Sequence, residues 1–403
     1  MMERIVVVGG GQAGGQAVAT LRREGFDGPL HLVAAEDHLP YERPPLSKEV
    51  LKGDKPPESC VIKSEEFYRK REVELHLGVA VTQIDGHRVA LADGTGLPFD
   101  RLLLATGSEL IRLDLPGADL PGVHYLRTWE DAVGIREELG EGSRLVVVGG
   151  GYIGLEVAAA GILGGAQVVV LEGSDEVMSR VVARPVGAML RRFHAGRGVD
   201  VRTSTWVTAF EGDERVRAVR TRSGDRVEAD VVVIGVGVRP SIALAERAGL
   251  TVADGIVVDA FGRTQDPAIF AAGDNAVAPC PSAGRAVRLE SWQNAQFQAM
   301  AAARAMVGRT DKPHDMIPWF WSDQYELSIQ MLGAPARWDE LVVRGEPEVP
   351  RATVFYLEDD RVVAVNSLGT PKDIRPAKRL MEARTVVDRA ALADAQVPLA
   401  SLS

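Results

Sequence analysis

Arg4–Ala17 reads RIVVVGGGQAGGQA. Ile5–Val8 is a β-branched run suited to a strand buried on both faces. Gly9, Gly11 and Gly14 then fill Gly-x-Gly-x-x-Gly, and a helical stretch, Gln12–Arg23, follows. Glycines at this spacing allow a tight turn, let the backbone approach a pyrophosphate and let the helix pack near the strand. The helix start offers unpaired N–H groups and a positive dipole end to phosphate. A single such loop is weak, but Arg144–Ala158 (RLVVVGGGYIGLEVA) repeats it at Gly149, Gly151 and Gly154, with Tyr152 and Ile153 inside the second turn. Two strand–loop–helix signatures predict an α/β protein with two Rossmann-type domains and two dinucleotides.

The composition agrees. A chain of 403 residues can bury a large core and holds two or three domains. Its 46% hydrophobic and 25% charged content describes a soluble globular protein. The net charge of −10 gives no support to a nucleic-acid partner. Cys60 and Cys280 are the only cysteines, which predicts no disulfide framework, thiolate cluster or metal site. The first strand begins almost at once, and the most apolar stretch, Tyr152–Leu171, carries Glu156, Gln167 and four glycines. A helix followed by a buried strand fits it better than a membrane span, and a cytoplasmic protein is expected.

After the first helix, His31–Val33 is a second strand, and Glu36 lies 22 residues beyond Gly14, the spacing of a ribose-binding acid. Leu39–Lys48 (LPYERPPLSK) is a loop that Pro44-Pro45 should keep out of regular structure. Lys48 is a candidate for a flavin ring edge, where a cation stabilises the reduced, negatively charged ring; the alternative is a solvated side chain. Glu58–Val73 reads as helical, and Glu74–Val81, Arg88–Leu91 and Arg101–Ala105 read as strands. The last ends in the small turn Ala105-Thr106-Gly107. A domain boundary is placed in the Pro/Gly-rich Asp114–Gly122, followed by a helix over Arg127–Glu138.

In the second half, the strand Gln167–Leu171 ends at Glu172, 18 residues after Gly154. A carboxylate there suits a ribose 2′-hydroxyl and repels a 2′-phosphate, so NAD is expected over NADP, with Arg180 the nearest basic reservation. Val199–Thr221 and Val227–Ala229 read as a small antiparallel sheet. Val231–Val238 reads as a buried strand with Gly235 and Gly237 at its end. The chain then rejoins the first domain. Asp274 follows Gly273 after an apolar strand, placed to accept from a ribityl hydroxyl or to cap the next helix. That helix is Leu289–Ala303, with Trp292 at its first turn, and PWFWSDQ (318–324) opens a C-terminal segment ending in helices over Pro376–Ala395.

Two glycine loops, LPYERPPLSK, Ala105-Thr106-Gly107, IFAAGD and WFWSDQ stand in one order over essentially the whole chain. Together they resemble the FAD-dependent NAD(P)H:ferredoxin reductases that serve Rieske dioxygenases and bacterial cytochrome P450 systems. The resemblance implies a glutathione-reductase-like fold, with an FAD-binding domain (1–111 and 243–318), an inserted NADH-binding domain (112–242) and an α+β interface domain (319–403). It implies that Gly9, Gly11, Ala13 and Gly14 bind FAD. Glu36, Arg43, Lys48, Val81, Arg127, Asp274 and Trp292 occupy matching contact positions, with Ala35 standing where relatives often carry an acid. It pairs Lys48 with Glu156 beside the reacting rings; the bland alternative for Glu156 is an exposed acid in a helix's first turn.

No Cys-x-x-Cys occurs, so a dithiol relay is not expected. The resemblance instead implies single-electron transfer to a [2Fe–2S] ferredoxin. Such carriers tend to be acidic, which nominates Arg304, Arg309, Lys312, Lys372, Arg375, Lys378 and Arg379 as docking cations. Trp321 is placed near the electron exit by resemblance, and a monomer or homodimer is expected. The alternatives are an NADH oxidase, a rubredoxin reductase, or a redox-controlled binding flavoprotein like apoptosis-inducing factor.

Overall fold

In the computed structural model, which describes residues 3–402, the chain folds as two compact units. The first comprises the chain up to Arg43, Glu58–Glu109 and Val238–Trp319; the second comprises Pro44–Pro57, Leu110–Gly237 and everything from Phe320.

The first unit is built on Ile5–Val8, all four residues buried. On one side it pairs in parallel with Leu30–Val33 and then Val73–His76; on the other with Arg101–Leu104 and then Ile269–Ala271. Both faces of this sheet are covered, which is why its strands are unbroken apolar runs. On one face the helix Gln12–Arg23 shares a core with the helix Trp292–Met306, through Ala17, Val18 and Leu21 against Ala295, Ala299 and Ala302. Alanines on the facing stripe let the two backbones approach closely. An antiparallel ribbon, Val81–Asp85, Arg88–Leu91 and Gly96–Pro98, is inserted between the third and fourth strands and covers the other face.

The second unit repeats the plan. Arg144–Val148 is central, flanked by Gln167–Leu171 and Asp200–Arg202 on one side and by Val231–Ile234 and Val123–Tyr125 on the other, all parallel. Here too a three-stranded ribbon (Val207–Gly212, Val216–Thr221, Arg226–Glu228) is inserted, between Asp200–Arg202 and Val231–Ile234. The same unit carries a five-stranded sheet ordered Trp319–Gln324, Leu327–Leu332, Arg361–Leu368, Arg351–Glu358, Glu340–Glu346. Its residues Leu327, Ile329, Val354 and Tyr356 share a core with Leu155, Val177, Val186 and Leu190.

Several local expectations are corrected. Pro44-Pro45 does not exclude regular structure: Pro44–Ser47 is a 3-10 turn and Glu49–Lys52 a short helix, because a fixed proline φ is compatible with a first helical turn. Glu74–Val81 is two strands broken at Gly78 (φ +69°). Glu58–Val73 is helical only over Glu65–Lys70, after a 3-10 turn at Pro57–Cys60. The start of Val199–Thr221 belongs to the parallel sheet, and the strand Val231–Ile234 ends before Gly235. The helices expected over 376–395 are present, as Ile374–Ala383 and Arg389–Ala393.

The tail is held by one buried side chain. Arg344 donates from Nη1 to the carbonyls of Leu392 (3.2 Å) and Asp394 (2.5 Å), and from Nη2 to those of Ala395 (3.3 Å) and Val397 (2.7 Å). Hydrogen bonds from a charged donor contribute about 1.5–3 kcal/mol each, and stranded carbonyls carry a desolvation penalty. Arg344→Met should therefore destabilise the protein by about 3 kcal/mol in urea denaturation and expose the segment after Arg389 to protease. Arg344→Lys should rescue little, because an ammonium lacks the planar fork; parent-like stability in both variants would refute the clamp.

Candidate functional site

The two glycine loops have the same internal logic. Gly9 has φ +122°, and a Cβ there would lie 2.0 Å from the Ala105 carbonyl oxygen; a Cβ on Gly14 would lie 1.8 Å from the Gly9 carbonyl oxygen. In the second loop, a Cβ on Gly149 would meet the Gly235 carbonyl oxygen at 2.4 Å, and one on Gly154 the Gly149 carbonyl oxygen at 2.0 Å. The first and third glycines are therefore demanded by the protein's own packing. The middle ones are not, for a Cβ on Gly11 or Gly151 would meet nothing within 4 Å. Each middle glycine is the N-cap of its helix, with no side-chain cap and no acid in the first turn. Bare backbone, open space and uncapped N–H groups are what a dinucleotide pyrophosphate requires, so the residues fit one dinucleotide per loop.

In the first unit, the residues following four neighbouring parallel strands gather at one sheet end, where ligands bind in open α/β sheets. Gly9 follows Val8, Glu36 comes shortly after Val33, Ala105-Thr106-Gly107 follows Leu104, and Gly273-Asp274 lies just past Ala271. The Glu36 carboxylate accepts from Tyr41 Oη (2.5 Å) and Arg43 Nη2 (2.6 Å). Burial works against the Arg43 charge, but Tyr41, Glu36 and Asp274 outweigh it and hold the guanidinium above its usual range. Asp274 accepts from Ser108 Oγ (3.0 Å), and the indole of Trp292 donates to Glu42 Oε1 (3.1 Å). Gly273 N–H donates to Gln298 Oε1, and a Cβ on Gly273 would stand 3.2 Å from that of Ala13. Asn275 Nδ2 donates to the Leu104 carbonyl and to Thr106 Oγ1, fixing the small turn. Val81 begins the antiparallel ribbon and packs against the core beneath it.

In the second unit, Lys48 and Glu156, 108 residues apart, form an ion pair of 2.9 Å with side chains 12% and 2% exposed. The exposed first-turn alternative for Glu156 is thus excluded. Glu156 also accepts from the Ser47 hydroxyl and, on Oε1, from Ser322 Oγ (2.6 Å). Lys48 Nζ donates further to the Pro44 carbonyl (3.1 Å). The chain of bonds continues inward: Gln324 Nε2 donates to Ser322 Oγ (3.1 Å), and Gln324 Oε1 lies 2.8 Å from His194 Nε2. Burial holds His194 below the usual imidazole range, which favours the neutral ring, and its Nε2 faces the Gln324 carbonyl oxygen.

Elsewhere in that unit, half-buried Tyr152 packs against Phe320, with ring centroids 4.3 Å apart, while Ile153 is exposed. Glu172 accepts from the N–H groups of Gly150 (2.6 Å) and Ser174 (2.7 Å), which fixes its carboxylate beside the second loop. Arg180 reaches the Val236 carbonyl (3.3 Å), next to Gly235 and Gly237. Arg127 immediately precedes the capping box of the helix Trp129–Glu138. Of the proposed docking cations, Arg304 is bonded to Glu24 and Asp311 and Arg309 to Glu24; Lys312 is exposed. Lys372, Arg375, Lys378 and Arg379 are exposed on or beside the helix Ile374–Ala383, Lys378 pairing with Glu382 (3.6 Å).

Sequence reasoning missed Tyr41, Ser47, Ser322, Gln324 and His194. Tyr41, the two serines and Gln324 lie inside two stretches singled out from the sequence, LPYERPPLSK and WFWSDQ. His194 gives no signal, being a lone histidine on the buried face of an amphipathic helix.

The sequence profile of pyridine nucleotide-disulphide oxidoreductases matches residues 3–299, and that of the reductase C-terminal segment matches 319–403. A ferredoxin–NAD(P)(+) reductase of Sphingomonas is 40% identical, over 98% of this chain and 96% of that protein. Rhodocoxin reductase of Rhodococcus erythropolis is 42% identical, over 94% and 89%. Among solved structures, the reductase in the covalent putidaredoxin reductase–putidaredoxin complex superposes with a TM-score of 0.94 at 40% identity, covering 99% of this chain and 98% of that one.

The glycine geometry makes a paired expectation. Gly11→Ala should leave the fold intact and abolish flavin retention, read from the yellow absorbance of the purified protein. Gly9→Ala should lower stability itself, because its Cβ meets backbone and its φ is strained. Equal flavin content in Gly11→Ala and the parent would refute the assignment.

Proposed function

Because this chain belongs to the pyridine nucleotide-disulphide oxidoreductases and ends in their reductase C-terminal segment, we propose that it is an FAD-dependent NADH:ferredoxin reductase. The observation that carries the reading is the buried Lys48–Glu156 pair in a chain with two bare-glycine dinucleotide loops. The relatives' names point the same way: one is a ferredoxin–NAD(P)(+) reductase, and another was solved joined to putidaredoxin. Despite the family's name, the only two cysteines are single, buried and far apart in sequence, so a dithiol does not carry the electrons onward.

In this reading residues 1–111 and 243–318 form the FAD-binding domain, 112–242 the NADH-binding domain and 319–403 the interface domain. Gly11 and the helix start beyond it hold the FAD pyrophosphate, Glu36 takes the adenosine ribose with Arg43 and Tyr41 fixing its direction, and Asp274 accepts from a ribityl hydroxyl. Gly151 and its helix do the same for NADH, with Glu172 on the ribose. FAD, when bound, supplies the conversion of a two-electron hydride into two single electrons. Lys48 presents a fixed cation to the charge that develops on reduction, and Glu156 holds that ammonium in place without solvent reorganisation. Ser47 and Ser322 hold the Glu156 carboxyl group in place, and His194 with Gln324 sets the hydroxyl direction of Ser322. Over a full cycle NADH and two oxidised ferredoxins give NAD+, a proton and two reduced ferredoxins.

A [2Fe–2S] ferredoxin docks on Lys372, Arg375, Lys378 and Arg379, with Trp321 toward the exit. Their exposure supports this patch over Arg304 and Arg309, whose charges are already matched by Glu24 and Asp311.

NADH-driven cytochrome c reduction should depend strongly on added [2Fe–2S] ferredoxin, with little NADH consumed in its absence. Rapid oxygen-dependent NADH consumption would identify an NADH oxidase, preference for rubredoxin a rubredoxin reductase, and reduction without turnover a redox-controlled binding flavoprotein. The ferredoxin rate should fall with added salt and in Arg375→Glu/Arg379→Glu, whereas NADH-to-flavin transfer should not. Glu156→Gln should slow flavin reduction in stopped flow by about tenfold or more, roughly 1.4 kcal/mol of barrier. Unchanged reductive kinetics would remove Glu156 from the site. NADH should be preferred to NADPH, and Glu172→Gln should narrow the gap.

A further inference from the structure

Away from the glycine loops, two histidines and a carboxylate converge at the edge of the first unit's sheet. His31 lies on the strand Leu30–Val33, and Glu74 and His76 lie on the edge strand Val73–His76. The parallel register puts His31 beside Glu74 and Val33 beside His76, so Glu74 and His76, two residues apart, share a face with His31. His31 Nδ1 stands 3.2 Å from His76 Nε2, and the Glu74 carboxylate straddles the pair, with Oε2 3.4 Å from His31 Nδ1 and Oε1 3.4 Å from His76 Nε2. The imidazoles are mostly buried, at 14% and 17% exposed, while Glu74 is 63% exposed.

Hydrogen bonding within the trio cannot use all three approaches. Each facing nitrogen carries at most one proton, directed along one line, yet each faces both the other ring and the carboxylate. A cation between them uses every lone pair at once. With metal–nitrogen distances of about 2.0–2.1 Å, tetrahedral ligands lie about 3.3 Å from one another, close to the 3.2 Å between the two imidazole nitrogens, and with one oxygen of Glu74 as third ligand the three donor atoms all lie within 4.8 Å of one another. Two imidazoles and a carboxylate are a donor set for a borderline transition ion such as Zn2+, rather than for Mg2+ or Ca2+.

We propose that His31, Glu74 and His76 form a binding site for a divalent transition metal of the Zn2+ class, with water in the fourth position. The ion bridges the edge strand to its neighbour. His76 also accepts at its carbonyl from Ala34 N–H (2.8 Å), and Gly78 N–H donates to the Glu36 carbonyl (3.1 Å), so the bridge braces the turn that presents Glu36. Sequence gave no hint of it, because the histidines are 45 residues apart and only the parallel pairing joins them.

The test is calorimetric titration of Zn2+ into the chelator-treated, FAD-loaded protein. One equivalent should bind, and the melting temperature should rise with it. His76→Gln should weaken binding by about tenfold or more, since even losing an outer-shell partner costs about 10–100-fold. Glu74→Gln, at an exposed position that threatens the fold least, should weaken it in the same direction. Parent-like binding in both variants would place the ion elsewhere, and no binding by the parent would also overturn the site.

Discussion

A carboxyl group only 3% exposed is costly unless its oxygens are matched, and Glu156 is matched by three donors from two distant segments. Ser47 and Lys48 come from the proline-stiffened turn, Ser322 from the first strand of the C-terminal sheet, and Glu156 from the helix behind the second glycine loop. Each segment needs the others: an unpaired Lys48 ammonium or Glu156 carboxylate in this environment would cost several kcal/mol. The ion pair therefore organises the second unit as well as supplying fixed charge. It also explains why Pro44–Pro57, early in the chain, folds with residues that come much later. A short proline-set turn gives Lys48 a defined direction at little entropic cost.

The two nucleotide folds share their strand order but are closed differently. In the first, the outermost strand beside Arg101–Leu104 arrives late, as Ile269–Ala271; in the second, the equivalent place beside Val231–Ile234 is filled early, by Val123–Tyr125. That exchange is what an insertion demands: the first sheet is left incomplete until the chain returns. Gly273-Asp274, at the end of the returning strand, consequently joins Gly9 and Glu36 although it lies far along the sequence.

Much of this is legible in the sequence itself. β-branched runs ending in glycines gave both central strands, because a strand buried on two faces needs apolar residues throughout and its loop tolerates few alternatives to glycine. The pairing of Lys48 with Glu156 came only from resemblance, since no local pattern links residues 108 apart. What escaped was polar support. Ser47, Ser322, Gln324 and His194 act through buried hydrogen bonds, and a serine destined for a carboxylate looks like any other serine. Breaks such as Gly78 escaped for another reason: an apolar alternation runs straight through a turn whose only mark is one glycine at positive φ.

Charge placement completes the physical picture. The chain is acidic overall, at −10, so an acidic partner meets a repulsive mean field, and productive encounters depend on local cations. A cation already bonded to a carboxylate contributes little beyond a dipole at a distance comparable to the screening length of about 8 Å at physiological salt. Arg304 and Arg309 are such cations, tied to Glu24 in the first unit. Arg375 and Arg379, four residues apart on an exposed helix, share a face and reinforce one another. Like charges at this spacing slightly destabilise that helix in isolation and concentrate positive potential on its exposed face.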